Sequence, residues 1–456
     1  MKNQKAIILI SLILLILGLG FFGLAIKKQA QKTAPKVYYL DNNQADIQPT
    51  LPQTAEKPNL FSLAKKIAGF EKEMNYLLLF QNSLELRPTG GFISSFGILK
   101  VKDAKTQDFQ FFDTAVFDIY LSSPTQVEPP SPIHDYLFVK NWQFRDGNWS
   151  PDFPTTAQKM IEFYQTQGGK ETFDGVIGIT PEVLKSLLKI HGAIELKDYN
   201  LTIDQDNFLL ALEKQVEMDY WAQDIPRKDR KNILRDLAKI LLEKTLALNP
   251  LRSLSLIGTM QDLLNQKDVL LYFNDSQLEK DIETLGWSGV IKQADSDYLM
   301  VVDANVNAFK ADLYVERSLK YEVDLASIPK KARLTIHYFH TATQKSWLTR
   351  NYQSWLRIYV PENSWFTNIN GIATQPEYAK EFGKTVVAGL VKVPIASNQD
   401  VILEYDLPEN VSADNYKFFI QKQPGIKELP VEIIVNYPDG TQKTIQQTIT
   451  TDKIMP

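Results

Sequence analysis

Asn75–Val101 reads NYLLLFQNSLELRPTGGFISSFGILKV, and the rest of the chain is organised around it. Tyr76–Phe80 is an uninterrupted apolar run of strand length, the pattern of a strand covered on both faces, and Phe92–Val101 reads as a second strand. Between them stands Glu85-Leu86-Arg87-Pro88-Thr89-Gly90-Gly91. Pro88 fixes its φ and removes a donor, while Gly90 and Gly91 permit φ > 0 or the close approach of another group. An arginine held by such a turn at the end of a buried strand stands where α/β proteins place ligands. A tight hairpin with a solvated Arg87 accounts for the same residues equally well.

On the N-terminal side, Leu60, Leu63, Ala64, Ile67 and Phe70 have helical spacing, so Asn59–Met74 is expected to be a helix leading into the first strand. Before it, Lys27–Pro58 is rich in Gln, Lys, Asn, Pro and Thr without periodicity and reads as a stalk. Ala6–Ile26 is uncharged and rich in Leu, Ile and Gly; at 1.5 Å per residue it matches a hydrocarbon core about 30 Å thick. Leu24-Ala25-Ile26 before Lys27-Lys28 is a poor cleavage site, so the expectation is an uncleaved anchor behind a short tail, residues 1–5. Lysines flank the run on both sides, and a count of charges alone leaves the large domain inside.

On the C-terminal side, Thr106–Phe112 alternates as a strand and Pro154 opens a helix carried by Ala157, Met160, Ile161 and Tyr164. Phe173–Ile179 reads as a strand, and Thr180-Pro181 starts a helix that stops at Gly192. Three further helices are expected in Asp204–Trp221, Pro226–Leu248 and Leu251–Leu264, with strands at Val269–Phe273 and Leu299–Val302 closing the same α/β domain. Beyond about residue 305 the texture changes to short strands separated by Pro, Asn and Gly, such as Leu356–Val360 and Val431–Val435, which argues for an antiparallel β-sandwich. The expected fold is therefore an α/β domain with a mixed sheet and flanking helices, residues 59–305, followed by a β-sandwich, residues 306–456. The chain's 456 residues suit two cores.

A net charge of −4 gives no general reason to bind nucleic acid. The absence of cysteine excludes disulfides, thiol nucleophiles and Cys-zinc sites. No phosphate loop, HExxH, G-x-S-x-G or dinucleotide fingerprint is present. Besides Arg87, two stretches carry candidate chemistry. Arg145, Asp146, Asn148 and Asp152 with Trp149 precede a helix N-terminus, where anions bind and indoles stack on sugars; a loop pinned by capping and an Arg–Asp pair is the plainer account. Arg227 and Arg230 lie one turn apart at a helix start, an unfavourable end for positive charge that an anionic ligand would relieve, although a solvated face also suits them.

ELRPTGGF (85–92), RDGNWSPDFPTTA (145–157), FDGVIGITPEVLKSLLKIHGAIEL (173–196), LRIYVPENS (356–364) and QKQPG (421–425) resemble domain-of-unknown-function family 4012 over residues 58–437. That resemblance implies a bacterial protein with a single membrane anchor and no established activity. The order of pieces also resembles the LytR-CpsA-Psr envelope phosphotransferases, which move glycans from polyprenyl pyrophosphate carriers to the cell wall. Arg87 matches the arginine of that family's Arg-x-Asp-Thr motif, but Thr89 stands where its aspartate would be. Phe111-Phe112-Asp113-Thr114 keeps the aspartate of its Pro-Arg-Asp-Thr motif, as Asp113, and lacks the arginine. Arg227 and Arg230 stand where that family has its pyrophosphate Arg-x-x-Arg pair. The resemblance implies magnesium, yet one of its carboxylates is missing, which bears on catalysis more than on ligand binding.

Together these readings lead to a cell-envelope protein of the bacterial membrane, single-pass, its large domain outside as in the wall-facing enzymes. It is expected to bind a polyprenyl-phosphate-linked or other anionic glycan, with transfer of that glycan as the enzymatic form of the same reading, through Arg87, Gly90, Gly91, Asp113, the 145–152 loop, Arg227 and Arg230. The alternative is a non-catalytic envelope scaffold whose sandwich binds a protein. Whether the arginines converge on one cleft separates the two.

Overall fold

The apolar run forms β1 (Met74–Asn82), which pairs antiparallel with β2 (Phe92–Lys102); β2 in turn pairs antiparallel with β3 (Lys105–Asp113). The computed structural model describes residues 58–120, 127–246, 248, 250–294 and 296–455. The anchor expected at 6–26 lies outside the described residues, as does nearly all of the stalk. Among the described residues no helix is long and apolar enough to cross a membrane.

On its other edge β1 pairs parallel with β4 (Gly175–Ile179), and β4 pairs antiparallel with β7 (Val269–Phe273), giving the mixed order β3-β2-β1-β4-β7. Tyr76 and Leu78 face one core, shared with the helices Leu60–Ile67, Pro181–His191, Phe208–Lys214, Asn232–Leu246 and Pro250–Asn265. Leu77 and Leu79 face a second core, shared with the helix Phe153–Thr166 and the aromatic group Phe96, Phe117 and Phe144. Helices on both faces explain why Tyr76–Phe80 needs no polar alternation. The helix Phe153–Thr166 starts where expected, with Asp152 as N-cap accepting from Thr155 N and Pro154 in its first turn.

The strand expected around Leu299–Val302 forms as β8 (Asp297–Asn305) but does not close the α/β sheet. It pairs with β11 (Tyr352–Pro361) and β16 (Phe418–Ile420) inside the strand-rich C-terminal part, which thus begins at Asp297 rather than after residue 305. All of β8 is buried, and its middle, Tyr298–Val302, carries the apolar run of an α/β strand. The C-terminal part is two six-stranded sheets around one core, to which Leu299, Leu356 and Val391 of one sheet and Tyr321, Leu334 and Leu403 of the other contribute. They are not antiparallel throughout: β16 runs parallel to β8, and β17 (Leu429–Asn436) parallel to β9 (Val315–Asp324). A hairpin forces antiparallel pairing, whereas the connections after 406 and 420 carry the chain from one sheet to the other and free the strand direction.

Asp297 lies fully inside this core, accepting from Tyr321 Oη at 2.8 Å, Tyr416 Oη at 2.5 Å and its neighbour Tyr298 N at 2.8 Å. Burial outweighs those hydrogen bonds and raises its carboxyl from 3.8 to about 6. A raised folded pKa means that the fold holds the proton more tightly than the unfolded chain. Its stabilising effect is complete below 3.8 and lost as pH climbs through 6. Asp297→Asn removes that titration, so its stability relative to the parent is expected to rise by up to about 3 kcal/mol between pH 4 and pH 7. Urea unfolding of both proteins at the two pH values measures the difference; a difference independent of pH contradicts it.

Candidate functional site

The face of β1–β4 that carries Leu78 does not pack flush against its helices. A cavity of about 860 Å³ lies between them, walled by Leu78, Phe80 and Phe111 of the sheet and by Leu187, Leu212 and Leu241 of three helices. After Lys214 the helix Phe208–Lys214 continues as a π-helical turn, Gln215–Asp219. Buried Gln215 and exposed Gln223 exchange two side-chain hydrogen bonds of 2.8 and 3.2 Å that hold this wider turn. The extra residue turns Val216, Glu217 and Met218 to the cavity, the kind of local widening often met at functional sites.

The mouth opens at the C-terminal ends of β1 and β3, and it is ionic. Arg87 Nη2 lies 2.9 Å from Glu85 Oε1 and 3.5 Å from Asp146 Oδ1, the second outside hydrogen-bond geometry. Arg145 Nε lies 3.4 Å from Asp118, Arg230 Nη1 3.2 Å from Glu217, Lys231 Nζ 2.9 Å from Asp113, and Lys310 Nζ 3.4 Å from Glu213. Burial pushes the Glu85 and Glu213 carboxyls up against the opposing pull of Arg87 and Lys310, and takes Asp118 to about 6 despite Arg145. It also lowers the Lys231 ammonium, with Asp113 pulling the other way.

Of the residues singled out in the sequence, Arg87, Asp113, Arg145, Asp146 and Arg230 line this one cavity. Gly90, Gly91, Asn148, Trp149, Asp152 and Arg227 are not on its wall, and most of them have other partners. Asn148 Nδ2 lies within 3.1 Å of Gln81 Oε1, Thr89 Oγ1 and the Gly91 carbonyl, locking the two densest motifs together. Asp152 caps its helix and accepts from Ile291 N. Trp149 stacks under the Arg357 guanidinium, which donates to its carbonyl. A Cβ on Gly91 would stand 2.3 Å from the Asn82 backbone, so the glycine there serves close approach of the chain to itself.

Arg87 is only 2% exposed. Its Nη1 donates to the Asn305 carbonyl at 2.6 Å, while Gln423 Nε2 donates to the Arg87 carbonyl at 3.2 Å. The turn thus ties the α/β part to the C-terminal sheets, and QKQPG is the other half of that tie. A solvated Arg87 is excluded.

Sequence reasoning missed Lys231, Lys310, Glu213 and Glu217 at the mouth. Lys231 adjoins Arg230 and was the one signal on offer; Lys310 comes from a loop far along the chain. Magnesium does not fit as the motifs suggested. The carboxylate of Asp113 is taken by Lys231, and no three His, Asp or Glu side chains gather into a metal site among the described residues.

Residues 71–216 match the family model described as "Protein of unknown function (DUF4012)". The match takes in ELRPTGGF, RDGNWSPDFPTTA and the 173–196 segment. No curated protein matches the chain. Among solved structures, a Legionella pneumophila protein described as a candidate nutrient binding protein is similar at 7% identity and a TM-score of 0.18, too low to carry an argument. The alignment covers 26% of this chain and 50% of that one, so the chain spans about half of its length.

Proposed function

We propose that this chain, of family 4012 over residues 71–216, binds an amphiphile with a long apolar tail and an anionic head, of the class of polyprenyl-phosphate-linked glycans. The observation that carries the reading is the cavity: walled by apolar side chains of sheet and helices, lined as well by the ion pairs described above, and within the roughly 300–1,000 Å³ of ligand sites. The tail lies against Leu78, Phe111 and Leu241, and the head meets Arg145 and Arg230 at the opening. The head's chemistry rests on the resemblance of Asp113 and Arg230 to phosphotransferase motifs. Binding takes place at a bilayer to which Ala6–Ile26 anchors the chain.

The guanidiniums are not short of carboxylates, as a free anion site would require. Each mouth cation named above has an acidic partner within 3.5 Å. That pairing favours a second reading, in which the cavity holds a neutral lipid or serves an envelope scaffold. The two separate at Arg230, whose Glu217 partner is partly exposed and exchangeable at small cost. Polyprenyl phosphate is expected to bind the full chain at least about tenfold more tightly than the polyprenol of equal length, one charge-assisted hydrogen bond's worth. Arg230→Ala should remove the preference. Equal affinity of the parent for both lipids supports the second reading.

A further inference from the structure

Exposed apolar side chains gather at the mouth of the cavity. Met218 and Trp347 line it and are still 45% and 40% exposed. Trp221, one turn beyond Met218, is 79% exposed. Phe138 stands between the lining residues Leu137 and Val139 and is 85% exposed. It is also held at φ 57°, a left-handed backbone that bulky side chains avoid and that glycine or asparagine usually supplies at a helix end. Neither burial nor backbone comfort accounts for a phenylalanine there.

These four come from three separate stretches of chain, at a helix end, on the π turn and just after it, and in the loop before β11. Met218 and Trp347 line the cavity, and Phe138 and Trp221 stand within three residues of lining residues, so the four lie along its border. A scattered exposed apolar residue is ordinary; a group of large ones beside the opening of a cavity with apolar walls marks an interaction surface. Tryptophan and phenylalanine are also the residues that settle at the boundary of headgroups and acyl chains.

We propose that this rim docks on a lipid bilayer, with Phe138, Met218, Trp221 and Trp347 in the interfacial layer, so that a lipid passes between membrane and cavity without crossing water. The inference rests on the amphiphile-binding reading above. A bilayer is favoured over a protein partner by the chain preceding the described residues. Residues 27–57 join the uncharged run 6–26 to Pro58, a length of chain that can reach at most about 100 Å. The folded part therefore stays within reach of the same membrane surface. Lys140 and Lys345 neighbour Phe138 and Trp347, while Asp219 and Asp224 neighbour Trp221, so both signs are present. Docking is then chiefly apolar and only weakly dependent on salt.

The chain has no cysteine, so single labels can be placed without removing any. Phe138→Cys, Trp221→Cys and Trp347→Cys, with Trp365→Cys and Tyr378→Cys as exposed sites of the C-terminal sheets, are labelled with bimane in the full chain and reconstituted in phosphatidylglycerol–phosphatidylethanolamine vesicles. Doxyl lipids are expected to quench most of the emission at 138, 221 and 347 and to leave 365 and 378 unchanged, at low and high salt alike. Equal quenching at all five sites, or none at the rim, overturns the proposal. Shielding of the rim labels from aqueous iodide without doxyl quenching assigns the surface to a protein and overturns it too. Lipid extracted from the same preparations keeps the two readings apart. Rim labels unquenched with lipid still bound refute docking alone, whereas quenched labels with an empty cavity refute the amphiphile site alone.

Discussion

Replacing Arg87 with methionine is expected to destabilise the fold by about 3–5 kcal/mol, the cost of removing one partner of a buried ion pair. The side chain is enclosed, and its loss strands Glu85 at 2.9 Å and Asp146 at 3.5 Å in the same buried space. The Asn305 carbonyl loses a donor as well, and with it a link between the two parts of the chain. Methionine keeps much of the volume, so the penalty is electrostatic rather than a cavity. The effect has a pH signature. The Glu85 carboxyl is already raised by burial against the pull of Arg87, and without that pull it rises further. A raised folded pKa stabilises at low pH and is lost as pH increases, so the variant's deficit should shrink towards acid. Adding Glu85→Gln should recover part of the loss at neutral pH. Chemical denaturation of the parent, the single and the double variant measures all three. An Arg87→Met protein as stable as the parent would mean that the arginine is available to a ligand after all.

The second large effect is on occupancy. Ala238 lines the cavity from the helix Asn232–Leu246, and Ala238→Trp puts an indole where the tail is proposed to lie. Enlarging a residue in a well-packed core costs roughly 1–3 kcal/mol through strain. Into an open cavity the same change adds contacts without displacing any. The melting temperature is thus expected to hold or rise while bound lipid falls at least about tenfold, equivalent to about 1.4 kcal/mol of affinity. Leu184→Trp, on the neighbouring helix Pro181–His191, repeats the test if the first variant folds poorly. A fall in stability together with unchanged lipid would mean that the space is closed in solution.

The sequence carried the strands well and the cavity poorly, for a physical reason. Tyr76–Phe80 announces a doubly covered strand because only such a strand tolerates that many apolar neighbours. The same logic misassigned Asp297–Asn305, one face of which packs on the opposing β-sheet through Leu299 and Val301 while Ile291, Tyr136 and Leu137 help to cover the other. The polar density of 145–152 looked like a site. In the structure Asn148 and Asp152 are cross-links, because buried polar groups must be paired whether or not a ligand is near. Leu187, Leu212 and Leu241 have the period of any core helix. Whether a helix touches its sheet or stands off from it is set by the summed fit of distant segments, here by the π turn at Gln215–Asp219, and leaves no local pattern. Lys231 was visible only as a neighbour of Arg230; its pairing with Asp113 needed the fold.

The most direct test of the central claim is mass spectrometry of lipids extracted from the full chain purified from its native membrane, alongside the Ala238→Trp variant. Enrichment of a long-chain polyprenyl phosphate or its glycan conjugate over bulk lipid in the parent, and its loss in the equally stable variant, is the result predicted. A parent whose lipids mirror the bulk membrane, or a variant that retains the same enriched species, would contradict it.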